Sequence, residues 1–200
     1  MNPKHCTYCV KPYNFVTIKN IKGGNNMTTR YISPGTIEDL AEKVRKDAGL
    51  NDSEPGAVDA VKLAQFFGCE VEEVTFNPQT ISARIKRDVD STRYIIQISR
   101  DDEPKRQRFS IAHEVAHLLL HDDGKESFIE WRKKLSEYGE NDLYKEIQAN
   151  MLSSALLMPK ALVERAWKES RDIEDLASIF NVSRSAAYYR VENLGLLSGE

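Results

Sequence analysis

The chain has 200 residues, of which 40% are hydrophobic and 30% charged, an ordinary globular balance that allows one packed domain or one domain with a small appendage. A net charge of -3 and a pI near 5.9 provide no basic footprint for neutralising a nucleic-acid backbone. No run approaches the roughly 18 apolar residues of a membrane span, no signal-peptide pattern opens the chain, and three cysteines make an odd count that argues against a disulfide framework. The expected setting is cytoplasmic and reducing, with no membrane partner.

At the N-terminus, Cys6 and Cys9 with His5 beside them resemble half a zinc site, but no second pair at usable spacing follows. Lys22-Gly23-Gly24-Asn25-Asn26-Met27 reads as a translated purine-rich ribosome-binding site with an initiator behind it. The expectation is a natural start at Met27, with residues 1–29 a disordered or non-native extension kept out of fold reasoning. Intact mass of the natively expressed protein tests this.

Beyond Pro34-Gly35, Thr36 can cap a helix in which Ile37, Leu40, Ala41 and Val44 recur at helical spacing until Gly49. A turn-rich stretch, 51–56, leads to a second helix with Ala57, Ala60, Val61, Ala64 and Phe67 on one face, closed by Gly68. Three β-prone runs follow, Val71 to Phe76, Ile81 to Ile85 and Tyr94 to Ile98, and predict a small antiparallel sheet with one wet face. From Pro104 a helical pattern carries Phe109, Ala112, Val115, Ala116 and Leu119 to about Leu120; its basic residues Lys105, Arg106 and Arg108 read as a wet face, and Asp122-Asp123 as a solvated turn. Phe128 to Leu135 reads as a short helix holding Trp131, and a longer helix from about Asp142 to Met158 stops at Pro159. Three short helices complete the chain, with Trp167 as a core residue beside Val163.

The chemistry lies in His113-Glu114-Val115-Ala116-His117. Residues four apart stack one turn above another, so both imidazoles can face one ion, expected to be Zn2+. Glu114 projects about 100° round the axis, off the metal but near a water bound there, and so is placed as a base. A catalytic zinc needs a third ligand and an open position. Glu146-Ile147-Gln148-Ala149-Asn150 offers Glu146 as that ligand, with Asn150 one turn on to steady the ligand set from behind. His121 is the rival ligand, but it sits too soon for the longer motif with a third histidine and lacks its glycine. An H-E-x-x-H match arises by chance in on the order of one chain in a hundred, so its context, a long amphipathic helix with a Glu/Asn helix about thirty residues later, decides for a metal site over two satisfied core histidines.

Two runs carry a family likeness: Arg108-Phe109-Ser110-Ile111-Ala112-His113-Glu114-Val115-Ala116-His117-Leu118-Leu119-Leu120-His121, and the Glu-x-x-Ala-Asn helix from Glu146 that ends in Leu156-Leu157-Met158-Pro159. In these the sequence resembles the ImmA/IrrE family of metallopeptidases, a likeness covering most of the chain beyond Met27. Val115-Ala116, Gln148 and Ser153 depart from the commoner residues there without removing a ligand. The resemblance implies zinc held by His113, His117 and Glu146, with Glu114 as general base. It implies an α+β fold: a three-stranded antiparallel sheet packed on the two ligand-bearing helices as a zincin-like minimal core. The peptidase domain would span 30–159, and a helical tail 160–200. Several family members cleave a helix-turn-helix repressor encoded nearby on a phage or mobile element, so a repressor is the protein substrate that the resemblance implies. An extended peptide is expected to pair with a sheet edge. The oxyanion partner is unassigned; Tyr138 and Tyr144 are eligible by type but more often pack.

A second class of function competes. Leu176 to Arg190 has the form of a helix-turn-helix, with a turn at Asn181 and a cap at Ser183, so the chain could regulate transcription by binding DNA or a repressor without turnover. Charge opposes DNA binding, since 160–200 holds six basic against seven acidic residues where a DNA reader needs a clustered positive face.

Overall fold

The computed structural model describes residues 32–50, 53–77, 79–87, 93–122, 129–131 and 140–198. The N-terminal extension with Cys6, Cys9 and Met27, and also Asp123 and Tyr138, lie outside them. Helix α1 spans Pro34–Asp47 and α2 spans Ala60–Phe66; strands β1 (Cys69–Val74), β2 (Ala83–Arg87) and β3 (Tyr94–Ser99) follow. Then come α3 (Pro104–His121), β4 (Ile129–Trp131), α4 (Glu140–Leu157), α5 (Lys160–Ser170), α6 (Ile173–Ile179), α7 (Arg184–Asn193) and a closing 3-10 turn, Leu196–Ser198.

Helix α1 begins earlier than Thr36. Pro34 has a preset φ and no N–H to satisfy, so it takes the first helical position and Ser33 becomes the cap, its Oγ accepting the Thr36 N–H at 3.2 Å. Ile37, Leu40, Ala41 and Val44 are buried as the spacing predicts. In α2 the Asp59 carboxylate caps the Val61 and Lys62 N–H groups, and the buried stripe is Ala60, Leu63 and Ala64. Val61, expected on that stripe, is turned outward, because it lies about 100° round the axis from Ala60. Gly49 and Gly68 follow these helices at φ 64° and 74°, where a side chain would be strained.

The sheet is mixed and four-stranded, in the order β1-β3-β2-β4, which corrects the expected three-stranded antiparallel arrangement. β2 runs antiparallel to β3 and to β4, while β1 lies parallel to β3. Each of the first two connections reverses the chain, so β1 and β3 point the same way, and β3 sits between β1 and β2. Residues 129–131, expected to be helical, pair instead with the outer side of β2, Glu130 opposite Ile85 and Trp131 opposite Arg84. Long-range pairing of an otherwise open strand edge overrides the local helical spacing of Trp131.

One face of the sheet is apolar, with Ala83, Ile85, Ile96 and Ile98 buried. On the other face a polar row crosses the strands: Arg84 Nε donates to Gln97 Oε1 at 2.6 Å, and Gln97 Nε2 donates to Glu72 Oε2 at 2.8 Å. Helix α3 packs on β2 and β3 and most extensively on α4, which is backed by α1 and touched by α7. Every residue of α3 from Ser110 to Leu120 is buried, so the helix runs through the core and is not a surface element. That burial continues into the tail through Leu162, Leu176, Phe180, Ala187 and Val191. Asn181 takes a left-handed φ of 50° at the expected turn, and Ser183 Oγ caps α7 by accepting the Ala186 N–H. Among the described residues no helix is long and apolar enough to cross a membrane.

Candidate metal centre

Helix geometry places His113 and His117 on one stripe of α3, and the packing of α3 on α4 brings Glu146 to them. The three residues form a small triangle, its edges the nearest approaches of their ligand-type atoms. His113 Nε2 lies 3.0 Å from His117 Nε2, Glu146 Oε2 is 3.2 Å from the former, and Glu146 Oε1 is 3.1 Å from the latter. All three residues are buried, and they form the group of possible metal ligands found among the described residues.

Protonation alone does not explain this triangle. A carboxylate only accepts hydrogen bonds, and each Nε2 bears either one hydrogen or one lone pair. If both nitrogens carry hydrogen, each can donate to its own carboxylate oxygen, but the 3.0 Å nitrogen–nitrogen edge is left without a hydrogen bond; if one does, the other turns its lone pair to the carboxylate; if neither does, lone pairs converge on every edge. Glu146 is held in its ionised form: burial raises its pKa, but hydrogen bonds from His113 and His117, and their charges, outweigh this and hold it well below the usual carboxylate range. A cation at the centre satisfies all three edges at once. Tetrahedral zinc with bonds of about 2.0–2.1 Å would set its ligands about 3.3 Å apart, close to the distances found.

Glu114 is buried beside this group on α3. Asn150 lies one turn beyond Glu146 and is half-buried; its carbonyl accepts the Ser153 hydroxyl at 3.0 Å, and among the described residues its side chain makes no hydrogen bond. His121 stands apart from the triangle, its Nε2 facing the Lys145 carbonyl at 3.1 Å. Tyr144 is exposed on α4.

Several contacts around the site differ from expectation. Asp122 is no free solvated turn, because it accepts a hydrogen bond from the Tyr94 hydroxyl. The basic run opening α3 is only partly a wet face. Arg106 donates to Ser82 Oγ and Asp102, and Arg108 donates to the carbonyls of Val58, Phe180 and Asn181, fastening α3 to the turn before α7. A guanidinium offers five donors in a fork and so seeks clustered carbonyls, but which carbonyls cluster is decided by the fold, and no sequence signal marks them.

Two imidazoles from one helix and a carboxylate from a second, over a small mixed sheet, define a metallopeptidase-like arrangement. The sequence pattern described as the IrrE N-terminal-like domain, a peptidase family, matches residues 64–192, which include both helices that form the triangle. The chain therefore belongs to the ImmA/IrrE family of metallopeptidases. It is 35% identical over 107 residues to the radiation response metalloprotease IrrE of Deinococcus deserti, a match covering 50% of this chain and 36% of the relative. With the protein of the same name from Deinococcus radiodurans it shares 34% over 102 residues, 48% of this chain and 30% of the relative. The matches thus span about a third of these relatives' length. A solved Mycobacterium tuberculosis transcriptional regulator superposes with a TM-score of 0.57 at 18% identity, over 89% of this chain and 51% of its own, a likeness of fold alone.

Proposed function

We propose that the chain is a zinc-dependent metallopeptidase in which His113, His117 and Glu146 hold the ion and Glu114 is the general base. The observation that carries this reading is the triangle of buried residues whose ligand-type atoms approach to 3.0–3.2 Å along each edge, for which no protonation state supplies a hydrogen bond on all three edges. When bound, the ion would acidify a water and polarise the scissile carbonyl. Glu114 would take the proton at its carboxylate and return it to the departing amine. Asn150 would back the ligand set from one turn along α4. An extended substrate would add to the edge of β4 that no described strand covers, β4 being the strand that lies in sequence between the two ligand-bearing helices, where its main-chain groups can be satisfied.

The substrate we propose is a helix-turn-helix repressor whose cleavage relieves repression on a phage or mobile element. Residues 30–159 would form the peptidase domain, with 160–200 as an attached helical segment. The test is incubation of the chain with the repressor-like protein encoded beside it, comparing wild type with Glu114→Gln. Metal-dependent cleavage by the wild type alone is expected; equal cleavage by both would sink the reading, and derepression without cleavage would favour a binding regulator.

A further inference from the structure

His121 occupies the last position of α3, one turn beyond His117 on the same stripe, with ring centroids 5.3 Å apart. Its Nε2 lies 3.1 Å from the main-chain oxygen of Lys145. A carbonyl can only accept, so this contact requires the tautomer with hydrogen on Nε2. The acceptor belongs to the peptide unit whose nitrogen is that of Glu146, so the bond grips α4 at the residue bearing the carboxylate. The far side of the same helix end is also held, because Asp122 accepts the Tyr94 hydroxyl and ties the chain after His121 to β3. One ring thus touches His117 on its own helix and the Glu146 peptide on the next, from a helix end anchored to the sheet.

We propose that His121 is a positioning residue, which sets the Glu146 carboxylate against the paired imidazoles by donating its Nε2–H to the Lys145 carbonyl. The inference rests on the metal-site reading above. Two helices packed through apolar side chains can slide and rotate by fractions of an ångström at little penalty, whereas a ligand triangle with 3.0–3.2 Å edges tolerates little such drift. A directional bond beside Glu146 removes that freedom at the point where it matters.

The test uses the full chain and three proteins: wild type, His121→Phe, which keeps a flat ring without the donor, and His121→Gln, whose amide nitrogen stands about where Nε2 does. Each is loaded with Zn2+ against a competing chelator, and with Co2+ for its visible absorption, which reports ligand geometry independently of turnover. His121→Phe is expected to bind either ion roughly 10- to 100-fold more weakly and to show altered Co2+ bands, with His121→Gln recovering most of both. Wild-type affinity and bands in His121→Phe, or equal impairment in the two variants, would overturn this inference while leaving the metal site standing. A wild-type chain that takes up neither ion would overturn the metal-site reading itself, and this inference with it.

Discussion

Arg190 on α7 donates from both terminal nitrogens to the carboxylate of Glu38 on α1, while its Nε donates at 2.8 Å to the Met158 carbonyl just beyond α4. One buried guanidinium so joins the first helix, the tail and the end of the helix that bears Glu146. Arg45 of α1 does similar work nearby, donating to the Leu156 carbonyl. Both cations lie where the unsatisfied carbonyls of a helix C-terminus favour positive charge.

Arg190→Ala should therefore destabilise the fold by roughly 2–4 kcal/mol, since it strands a partly buried carboxylate and a helix-end carbonyl together. Arg190→Lys should recover little, because a point charge cannot reproduce the fork. Urea denaturation of the three proteins checks this, and a loss under about 0.5 kcal/mol for Arg190→Ala would contradict it. The same contact bears on the helix-turn-helix likeness, because a basic residue of the second helix is committed to the interior and is not free to meet a phosphate.

Glu114→Gln keeps the size of the side chain and removes its basicity. Under the proposed function it should retain metal at wild-type stoichiometry and lose at least about 10²-fold in peptide cleavage. Metal analysis and a cleavage assay on one preparation separate the two effects; loss of metal would instead make Glu114 part of the binding set.

Metal occupancy should also appear in stability. An ion that binds only the folded chain adds about 2.7 kcal/mol at a hundred times its dissociation constant, so Zn2+ should raise the melting temperature of the wild type and of Glu114→Gln. His117→Ala removes one corner of the triangle, and its melting temperature should respond far less. An equal rise in all three would mean that Zn2+ binds elsewhere.

Cys69 opens β1 with its side chain in the core, and burial raises its thiol pKa from 9.0 to about 12. In a Cys6→Ser, Cys9→Ser background, the folded chain at pH 8 should resist a thiol reagent that reacts at once after denaturation. Because the folded pKa lies above the unfolded one, the stabilising contribution is complete below pH 9 and is lost as pH rises from 9 to about 12. Alkaline unfolding should thus begin at higher pH in Cys69→Ala than in its parent, provided both fold equally at pH 7. Rapid labelling of the native chain would show that β1 opens readily.

Local patterns were legible where the interaction itself is local. The buried stripe of α1, the stop at Pro159, the left-handed turn at Asn181 and the Ser183 cap all depend on residues within a turn or two, so spacing and residue type suffice. Thr36 was misplaced because the helix start, fixed by the Ser33 cap, falls earlier than periodicity suggests, and Val61 because it lies about 100° round the axis from Ala60 and off the stripe of Ala60, Leu63 and Ala64.

By itself the sequence determined that two imidazoles stand one turn apart on a helix with a carboxylate between them, because an i,i+4 relation follows from helix geometry alone. Only the tertiary structure decided that Glu146 meets both rings within 3.2 Å, that His121 turns to the Lys145 carbonyl, that residues 129–131 extend the sheet, and that Arg108 and Arg190 bind distant carbonyls. Those distances depend on how helices and strands far apart in the chain pack around one core. Packing of that kind is set by the fit of many apolar side chains together, and no single spacing along the chain records it.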